Sequence, residues 1–134
     1  TQAASSVKVI DGSQLTTDAE SIGYKQKTAR GEDLLTGYSK IVRMGPGEIY
    51  AGGTTLAERE VPRIGIGVII ERAKEEDTEW SFYDTWQKFN ENTDRVSSKK
   101  YLDVEGDYYC VRCIHSAGND MGSSFTDGVY IEEP

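Results

Sequence analysis

Residues 104–131 decide the fold. Residues 104–116 read V-E-G-D-Y-Y-C-V-R-C-I-H-S, and residues 124–131 read S-F-T-D-G-V-Y-I. Tyrosine, valine and isoleucine favour strands, and a turn at Gly106 would lead the chain into the first of them. The pattern predicts a strand, then an exposed loop over residues 117–124 that is too long for a two-residue turn, and then a returning strand.

The alternation of side chains along a pleated strand divides the first of these strands into two faces. One face carries Tyr109, Val111, Cys113 and His115, and the other carries Tyr108, Cys110, Arg112 and Ile114. Because the first set is the more apolar, we predict that it points into the core, with His115 near the rim.

Five further segments upstream have strand-forming residues between turn signals: residues 38–44, 48–54, 64–70, 80–90 and 95–104. The Gly45-Pro46-Gly47 turn would join the first two as a hairpin. The charged residues 55–63, which include Pro62, are predicted to be a connection. In residues 64–70 the side chains of Ile64, Ile66, Val68 and Ile70 point one way, which is typical of a core strand.

Residues 80–90 fit strand and helical spacing almost equally well. We favour a strand, because the acidic segment before it would then connect a hairpin with the isoleucine-rich strand. The predicted fold is therefore all-β, an antiparallel β-sandwich of about seven strands with an immunoglobulin-like general architecture. Residues 1–30 are expected to form an N-terminal arm, loosely packed or partly disordered, and residues 31–134 a single sandwich domain.

Composition limits the partners of this chain. Its 134 residues carry 15 Lys and Arg against 23 Asp and Glu, a net charge of −8. Nucleic acid and anionic membranes require clustered basic residues, so we expect neither as a partner. No apolar run approaches the roughly 20 residues of a membrane span. The polar start T-Q-A-A-S-S is compatible with a mature terminus left by cleavage.

The run G-D-Y-Y-C-V-R, residues 106–112, resembles strand F of an immunoglobulin variable domain. In that strand a tyrosine two residues before the cysteine makes a corner hydrogen bond, and the corresponding residue here is Tyr108. No upstream cysteine exists to pair with Cys110 across a sandwich. The resemblance therefore supports a sandwich-type strand and not an immunoglobulin domain.

A second, longer resemblance covers roughly residues 30–131. It consists of Arg30-Gly31, Leu35, Gly37, Ser39, Ile41, Gly45, Gly47, Ile49, Gly53-Thr54, Trp80, Gly106, Tyr108-Tyr109, Val111, His115 and Thr126-Asp127-Gly128-Val129-Tyr130-Ile131. This pattern resembles small exported proteins of Gram-positive bacteria that have no assigned function. The resemblance implies an extracytoplasmic location, secreted or at the cell surface, and carries over no catalytic residue.

Two candidate sites involve the cysteines. Cys110 and Cys113 form a C-x-x-C, but zinc usually takes four ligands, and on a strand the two sulfurs face opposite sides. We therefore predict two separate thiols and no metal or other cofactor. Cys113 and His115 share a face, and with Asp120 or Asp127 could be written as a nucleophilic site. A histidine satisfied by hydrogen bonds is the simpler interpretation.

Carboxylates offer two more alternatives. Asp103, Glu105 and Asp107 alternate beside the Gly106 turn and could hold calcium, although a solvated acidic turn explains them equally simply. Paired carboxylates of a glycoside hydrolase remain a further alternative, because their separation is fixed only by the fold.

The densest aromatic cluster lies in residues 80–89. Exposed Trp and Tyr side chains stack against sugars or anchor protein partners, and loops at the ends of sandwiches carry function. We therefore predict a ligand-binding set of Trp80, Tyr83, Trp86, Asn119 and Asp120.

The leading hypothesis is an exported, non-enzymatic binding or interaction module whose ligand is a carbohydrate or a protein. The alternative is a secreted antibacterial or toxin-like effector, by analogy with other small exported β-proteins. A small hydrolase acting through carboxylates is the third hypothesis.

Overall fold

The structure, a computed structural model, describes residues 8–25 and 33–133. Within these ranges the protein is all-β, as predicted, with nine strands and no helix. The strands are β1 (Val9–Ile10), β2 (Ser13–Thr16), β3 (Glu20–Tyr24), β4 (Leu34–Gly45), β5 (Glu48–Ala73), β6 (Ser81–Asp103), β7 (Asp107–Ala117), β8 (Asp120–Phe125) and β9 (Gly128–Ile131).

These strands form one curled, mixed sheet in the order β1-β2-β9-β7-β5-β4-β3, with β6 also paired to β5 and β8 also paired to β7. The pair β2–β9 is parallel, with Leu15 opposite Gly128, and the other pairs are antiparallel. The predicted purely antiparallel arrangement of about seven strands is therefore wrong in detail. The sandwich and the immunoglobulin-like architecture are not confirmed.

Strand β5 is 26 residues long and pairs with three other strands, β4, β6 and β7. One of its edges pairs with β6 from Glu48 to Arg72. Its other edge pairs first with β4 and then, from Ile64 onward, with β7. The register of β5 and β6 shifts between the pairs Leu56–Arg95 and Val61–Thr93. Four residues of β5 lie between these pairs but only one residue of β6, so β5 forms a bulge.

The prediction that residues 55–63 form a connection is therefore wrong. The charged segment stays extended because β6 continues beside it, and Pro62 is accommodated next to the bulge, where a missing backbone donor costs little. Residues 81–90 are strand, as predicted for 80–90, and they continue without interruption through residues 95–103 as β6.

The long ribbon of β5 and β6 folds back on itself near Asn92, which has a φ of 55°. Side chains of β6 bridge its two halves. The Trp86 indole N–H donates to Ser98 Oγ at 2.9 Å, and the Tyr83 hydroxyl donates to the Asp103 carbonyl at 3.3 Å. The two halves of one strand therefore face each other across a short gap.

The main core lies between the inward faces of β4, β5 and β7. Ile64, Ile66, Val68 and Ile70 are all buried, as the alternation predicted, and so are Tyr109, Val111, Cys113 and His115. The prediction that His115 lies near the rim is wrong, because it is fully buried. Strands β5 and β8 flank β7 on both edges, and Gly37 of β4 lies directly against the imidazole.

The predicted loop over residues 117–124 is also wrong. Strands β7 and β8 are joined by only Gly118 and Asn119, with Ala117 paired to Asp120. Gly118 has a φ of 60°, which the first position of a type II′ hairpin turn requires and which glycine adopts without steric cost. The predicted returning strand is accordingly divided into β8 and β9.

Part of the predicted N-terminal arm takes part in the sheet. Residues 8–25 supply β1, β2 and β3, of which β2 pairs with β9 and β3 with β4. The rest of the arm lies outside the described residues, and the boundary at residue 30 stays a prediction.

The corner hydrogen bond assigned by resemblance to Tyr108 is made by its neighbour. The Tyr109 hydroxyl donates to the Glu105 carbonyl at 2.8 Å and so ties β7 to the turn that precedes it. Tyr108 instead packs on Tyr130, with ring centroids 5.1 Å apart.

The substitution Gly37→Ala tests the close approach of β4 to the imidazole of His115. A Cβ at this position would overlap the ring, whereas a Cβ at Gly67 would meet only Ile114 Cβ at 3.9 Å. We expect Gly37→Ala to lower the free energy of unfolding by about 1–3 kcal/mol, the usual cost of overpacking. Denaturant titration followed by tryptophan fluorescence measures this change.

Gly67→Ala is the matched control, a strand glycine with room for a methyl group. We expect it to leave the free energy of unfolding unchanged or slightly raised, because alanine restricts the unfolded chain. Equal destabilisation by the two substitutions would contradict the described packing.

Candidate functional site

One of the clefts in the described part of the chain lies on β4, β5 and β6 and brings aromatic, hydroxyl and ammonium groups together. It is a cleft of about 400 Å³ lined by Tyr38, Tyr50, Gly53, Thr54, Lys88, Ser97, Ser98 and Lys99. We call it the tyrosine–lysine cleft. Its lining combines two aromatic rings, three hydroxyl-bearing aliphatic side chains and two ammonium groups, so it can offer stacking surface, hydrogen bonds and positive charge together.

The turn at residues 45–47 places the tyrosines. It sets the register of the β4–β5 hairpin so that Tyr38 lies opposite Thr54 and Tyr50 lies opposite Val42. Because Ile41, Ile49 and Ala51 occupy the inward face, alternation directs the residues between them to the outward face. The tyrosines of the cleft are therefore a direct consequence of the core pattern of this hairpin.

Strand β6 completes the wall of the cleft. Ser97 lies opposite Thr54, and Lys99 lies opposite Gly52. A Cβ at Gly52 would overlap the carbonyl oxygen of Ser98. Glycine at this position therefore lets β6 approach closely and leaves a depression between the neighbouring side chains.

Hydroxyl groups at the cleft are joined in a chain. Thr54 Oγ1 donates to the Tyr38 hydroxyl at 3.1 Å and lies 2.8 Å from Ser97 Oγ. Burial raises the pKa of Tyr50, an effect that the charge of Lys99 opposes, and this phenol therefore stays neutral at physiological pH. Neutral hydroxyls both donate and accept hydrogen bonds, which suits a ligand rich in hydroxyls.

Aromatic rings extend the cleft on both sides. Tyr50 packs edge-on against Tyr101 with centroids 5.4 Å apart, and Tyr38 packs against Tyr24 at 5.9 Å. Tyr24 and Tyr101 are exposed. The outward face of the sheet thus presents four tyrosines, two within the cleft and two beside it.

The sequence predicted different aromatic residues as the binding set, and the structure places them at other positions. Trp80 is buried, and its indole N–H donates to the Ile10 carbonyl at 2.8 Å. Tyr83 and Trp86 are half-buried against the main core. Trp86 does not line the tyrosine–lysine cleft, but its indole N–H donates to Ser98, which does.

A bulge explains why Tyr83 and Trp86 pack inward together. The register of β5 and β6 shifts so that Phe82 lies opposite Glu71 while Asp84 lies opposite Ile70. Tyr83 is the extra residue on β6. The inward and outward positions of the strand are therefore exchanged between the residues before Tyr83 and those after it. Phe82 is left 64% exposed on the other side of the strand.

Asn119 lies in the β7–β8 turn and Asp120 begins β8, and neither lines the tyrosine–lysine cleft. The Asp120 carboxylate accepts from the backbone N–H groups of Asp33 and Leu34 at 2.6 and 3.1 Å, and it thereby anchors the start of β4. Asn119 is exposed. A ligand-binding role for the set of Trp80, Tyr83, Trp86, Asn119 and Asp120 stays a prediction.

The two cysteines face opposite sides of β7, as alternation predicts. Cys110 packs with Ile10 and Trp80, and Cys113 belongs to the main core. Both are free thiols, and burial raises the pKa of each, that of Cys113 to about 12. Such thiols are protonated at physiological pH and are poor nucleophiles.

His115 is the centre of a buried polar network. Its Nδ1 lies 2.8 Å from Thr55 Oγ1, its Nε2 lies 2.8 Å from Ser124 Oγ, and Ser124 Oγ lies 2.7 Å from Ser39 Oγ. Both ring nitrogens are thereby engaged, so neither is left for Cys113. A serine beside a histidine can serve acyl transfer, but every member of this network is buried, and the arrangement is that of a satisfied core histidine.

The carboxylates considered from the sequence are dispersed. Glu105 lies 3.5 Å from Arg72 as an exposed ion pair. Asp107 lines a second cleft with Glu75 and Glu76, and burial raises its pKa. Of the four carboxylates at positions 103, 105, 107 and 127, only Asp107 lines that cleft. Among the described residues no three His, Cys, Asp or Glu side chains form a group able to hold a metal ion.

No protein-family model, curated protein or solved structure matches this chain. The ranges 8–25 and 33–133 contain no helix with the length and apolar character needed to cross a membrane.

The pH dependence of stability tests the buried network. Burial, assisted by the charge of Lys25, lowers the pKa of His115 from 6.5 to about 4. As the pH falls from 6.5 towards 4, the unfolded chain binds a proton at His115 that the folded protein excludes. We expect this linkage to remove about 3 kcal/mol of stability across that window.

Urea titrations over this pH range measure the effect, with His115→Asn as the matched variant that cannot titrate. The difference between the two proteins should shrink as the pH falls. Parallel stability curves for the two proteins would show that His115 is already protonated, or accessible, in the folded state.

Proposed function

We propose that the protein is an exported, non-enzymatic binding module that takes a saccharide in the tyrosine–lysine cleft. The observation that carries the proposal is the joint presence of two tyrosine rings and a chain of hydrogen-bonded hydroxyls around one cleft. Tyrosine rings provide flat apolar surface with a polar edge, and hydroxyl groups match the donors and acceptors of a sugar.

The supporting framework of the cleft is rigid. Its residues lie on three paired strands, and the tyrosines are packed against further tyrosines on the same face. A ligand therefore meets side chains that are already oriented, which lowers the entropic cost of binding. This arrangement favours a small or extended ligand that inserts between side chains.

The polar character of the cleft favours a saccharide over a protein partner. Binding hot spots of protein interfaces are desolvated apolar centres, whereas this cleft is lined by hydroxyl and ammonium groups around two rings. The exposed aromatic residues Tyr24 and Tyr101 extend the stacking surface along the sheet. They would contact neighbouring units of an oligosaccharide.

The extracytoplasmic location is the second part of the proposal. It follows from the resemblance of residues 30–131 to small exported proteins. A precursor with an apolar segment ahead of Thr1 supports it, and a precursor without one refutes it.

The binding proposal predicts that Tyr38→Ala and Tyr50→Ala weaken saccharide binding. Removal of one stacking ring is expected to lower the affinity roughly tenfold, which corresponds to about 1.4 kcal/mol. Both tyrosines lie on the outward face, so we expect the core and the circular dichroism spectrum to be unchanged. A glycan array identifies the ligands, and tryptophan fluorescence titration measures their affinity.

Two control variants complete this experiment. Phe82→Ala removes an exposed aromatic ring that lies on β6, outside the cleft, and should leave the affinity unchanged. Trp86→Phe should abolish the fluorescence response, because Trp86 donates to Ser98 of the cleft. An array without hits, or hits that are indifferent to both tyrosine substitutions, would refute the proposal.

A further inference from the structure

We infer that the saccharide bound in the tyrosine–lysine cleft is acidic and carries carboxylate or sulfate groups that Lys88 and Lys99 recognise. This inference rests on the proposed function and names its ligand class. Four observations carry it: the gathering of lysines at one site of an acidic protein, the absence of salt bridges to these lysines among the described residues, the placement of Lys88 and Lys99 on two walls of the cleft, and the size of the cleft.

Lysines gather at the cleft against the overall charge of the chain. The protein has a net charge of −8, yet Lys88 and Lys99 line the cleft. Lys40 Nζ lies 5.8 Å from the Tyr50 ring centroid, and Lys100 Nζ lies 4.6 Å from that of Trp86. Two ammonium groups therefore line the cleft. The other two lie beside it, one over the Tyr50 ring of the lining and one over Trp86, which donates to Ser98.

Within the part of the chain that the structure describes, these lysines form no salt bridge. The salt bridges among the described residues use Arg59, Arg72 and Arg112, and none of the four lysines takes part in one. Lys40 and Lys100 instead lie over aromatic rings, which attract a cation without neutralising its charge. Like charges held close together repel, and a bound anion relieves that repulsion.

The two lysines that line the cleft come from opposite halves of β6. Lys88 precedes the bend near Asn92 and lies opposite Ile66, whereas Lys99 follows the bend and lies opposite Gly52. The bridge from Trp86 to Ser98 holds the halves together. The ammonium groups therefore reach the cleft from two walls, so that a ligand between the halves can meet both.

The size of the cleft suits a short part of a saccharide chain. A volume of about 400 Å³ accommodates one or two sugar rings, in line with the sizes of small-ligand sites. A nucleic acid would extend beyond the lysines of the cleft along a protein whose net charge is −8, and this repulsion opposes its binding. The hydroxyl chain of Tyr38, Thr54 and Ser97 adds contacts that an acidic peptide would not use as fully as a sugar.

The test compares four probes at low and high salt: hexagalacturonate for carboxylate, a heparin hexasaccharide for sulfate, neutral maltohexaose, and hexaglutamate as an acidic peptide. Binding is measured by calorimetry and by Trp86 fluorescence. We expect at least one acidic saccharide to bind more tightly than maltohexaose and hexaglutamate do. Its affinity should fall at high salt, because salt screens the charges.

Charge-removing variants locate the recognition. Lys88→Gln and Lys99→Gln should each weaken binding of the acidic saccharide roughly fivefold, the effect of one partly exposed ion pair. Lys74→Gln makes the same change in net charge at an exposed lysine outside the cleft and should have no effect. Lys74, Lys88 and Lys99 are exposed, so each variant should have the stability of the wild type.

The outcomes separate this inference from the proposed function. Equal affinity for maltohexaose and the acidic saccharides, with no effect of the lysine variants, would overturn the inference and leave the saccharide module intact. Equal binding of hexaglutamate would overturn the inference too, because the cleft would then recognise charge alone. Failure of every saccharide probe to bind, together with an array without hits, would overturn the proposed function itself.

Discussion

The pairing of β5 with β6 determines where every other strand of the sheet can lie. The two strands stay paired from Glu48 to Arg72 apart from two bulges, one at residues 57–60 of β5 and one at Tyr83 of β6. Because β6 occupies one edge throughout, β4 and β7 must share the other edge of β5, one before the bulge of β5 and one after it. The bend then brings their inward faces together around a single core, and it brings the two halves of β6 together beside the tyrosine–lysine cleft.

Local signals predicted much of this fold. The inward alternation of residues 64–70 and of Tyr109, Val111 and Cys113 was predicted correctly, because burial of one strand face follows from the sequence pattern alone. The continuity of β5 through Pro62 was missed, because it depends on pairing with a segment far along the chain. The burial of His115 was missed for the same reason: strand β4, which covers it, is distant in sequence.

The candidate site likewise contains residues that the sequence could identify and residues that it could not. Tyr38 and Tyr50 could have been found, because the turn at residues 45–47 and the core positions of the hairpin fix their outward orientation. The proximity of Lys88 to Lys99 could not, because only the folded ribbon creates it. The prediction of Trp80 and Trp86 as binding residues depends on the density of aromatic residues in this segment. Density does not indicate which ring is exposed, and the bulge at Tyr83 changes the alternation that would indicate it.

The proposed ligand would bind between the two halves of the folded ribbon. Amide chemical-shift mapping of the isotope-labelled protein, titrated with hexagalacturonate, locates its contacts residue by residue. We expect the largest shifts at Thr54 and residues 97–99, with smaller shifts at Lys88. Shifts concentrated at the Gly118–Asn119 turn, or spread evenly over the sheet, would refute binding in the tyrosine–lysine cleft.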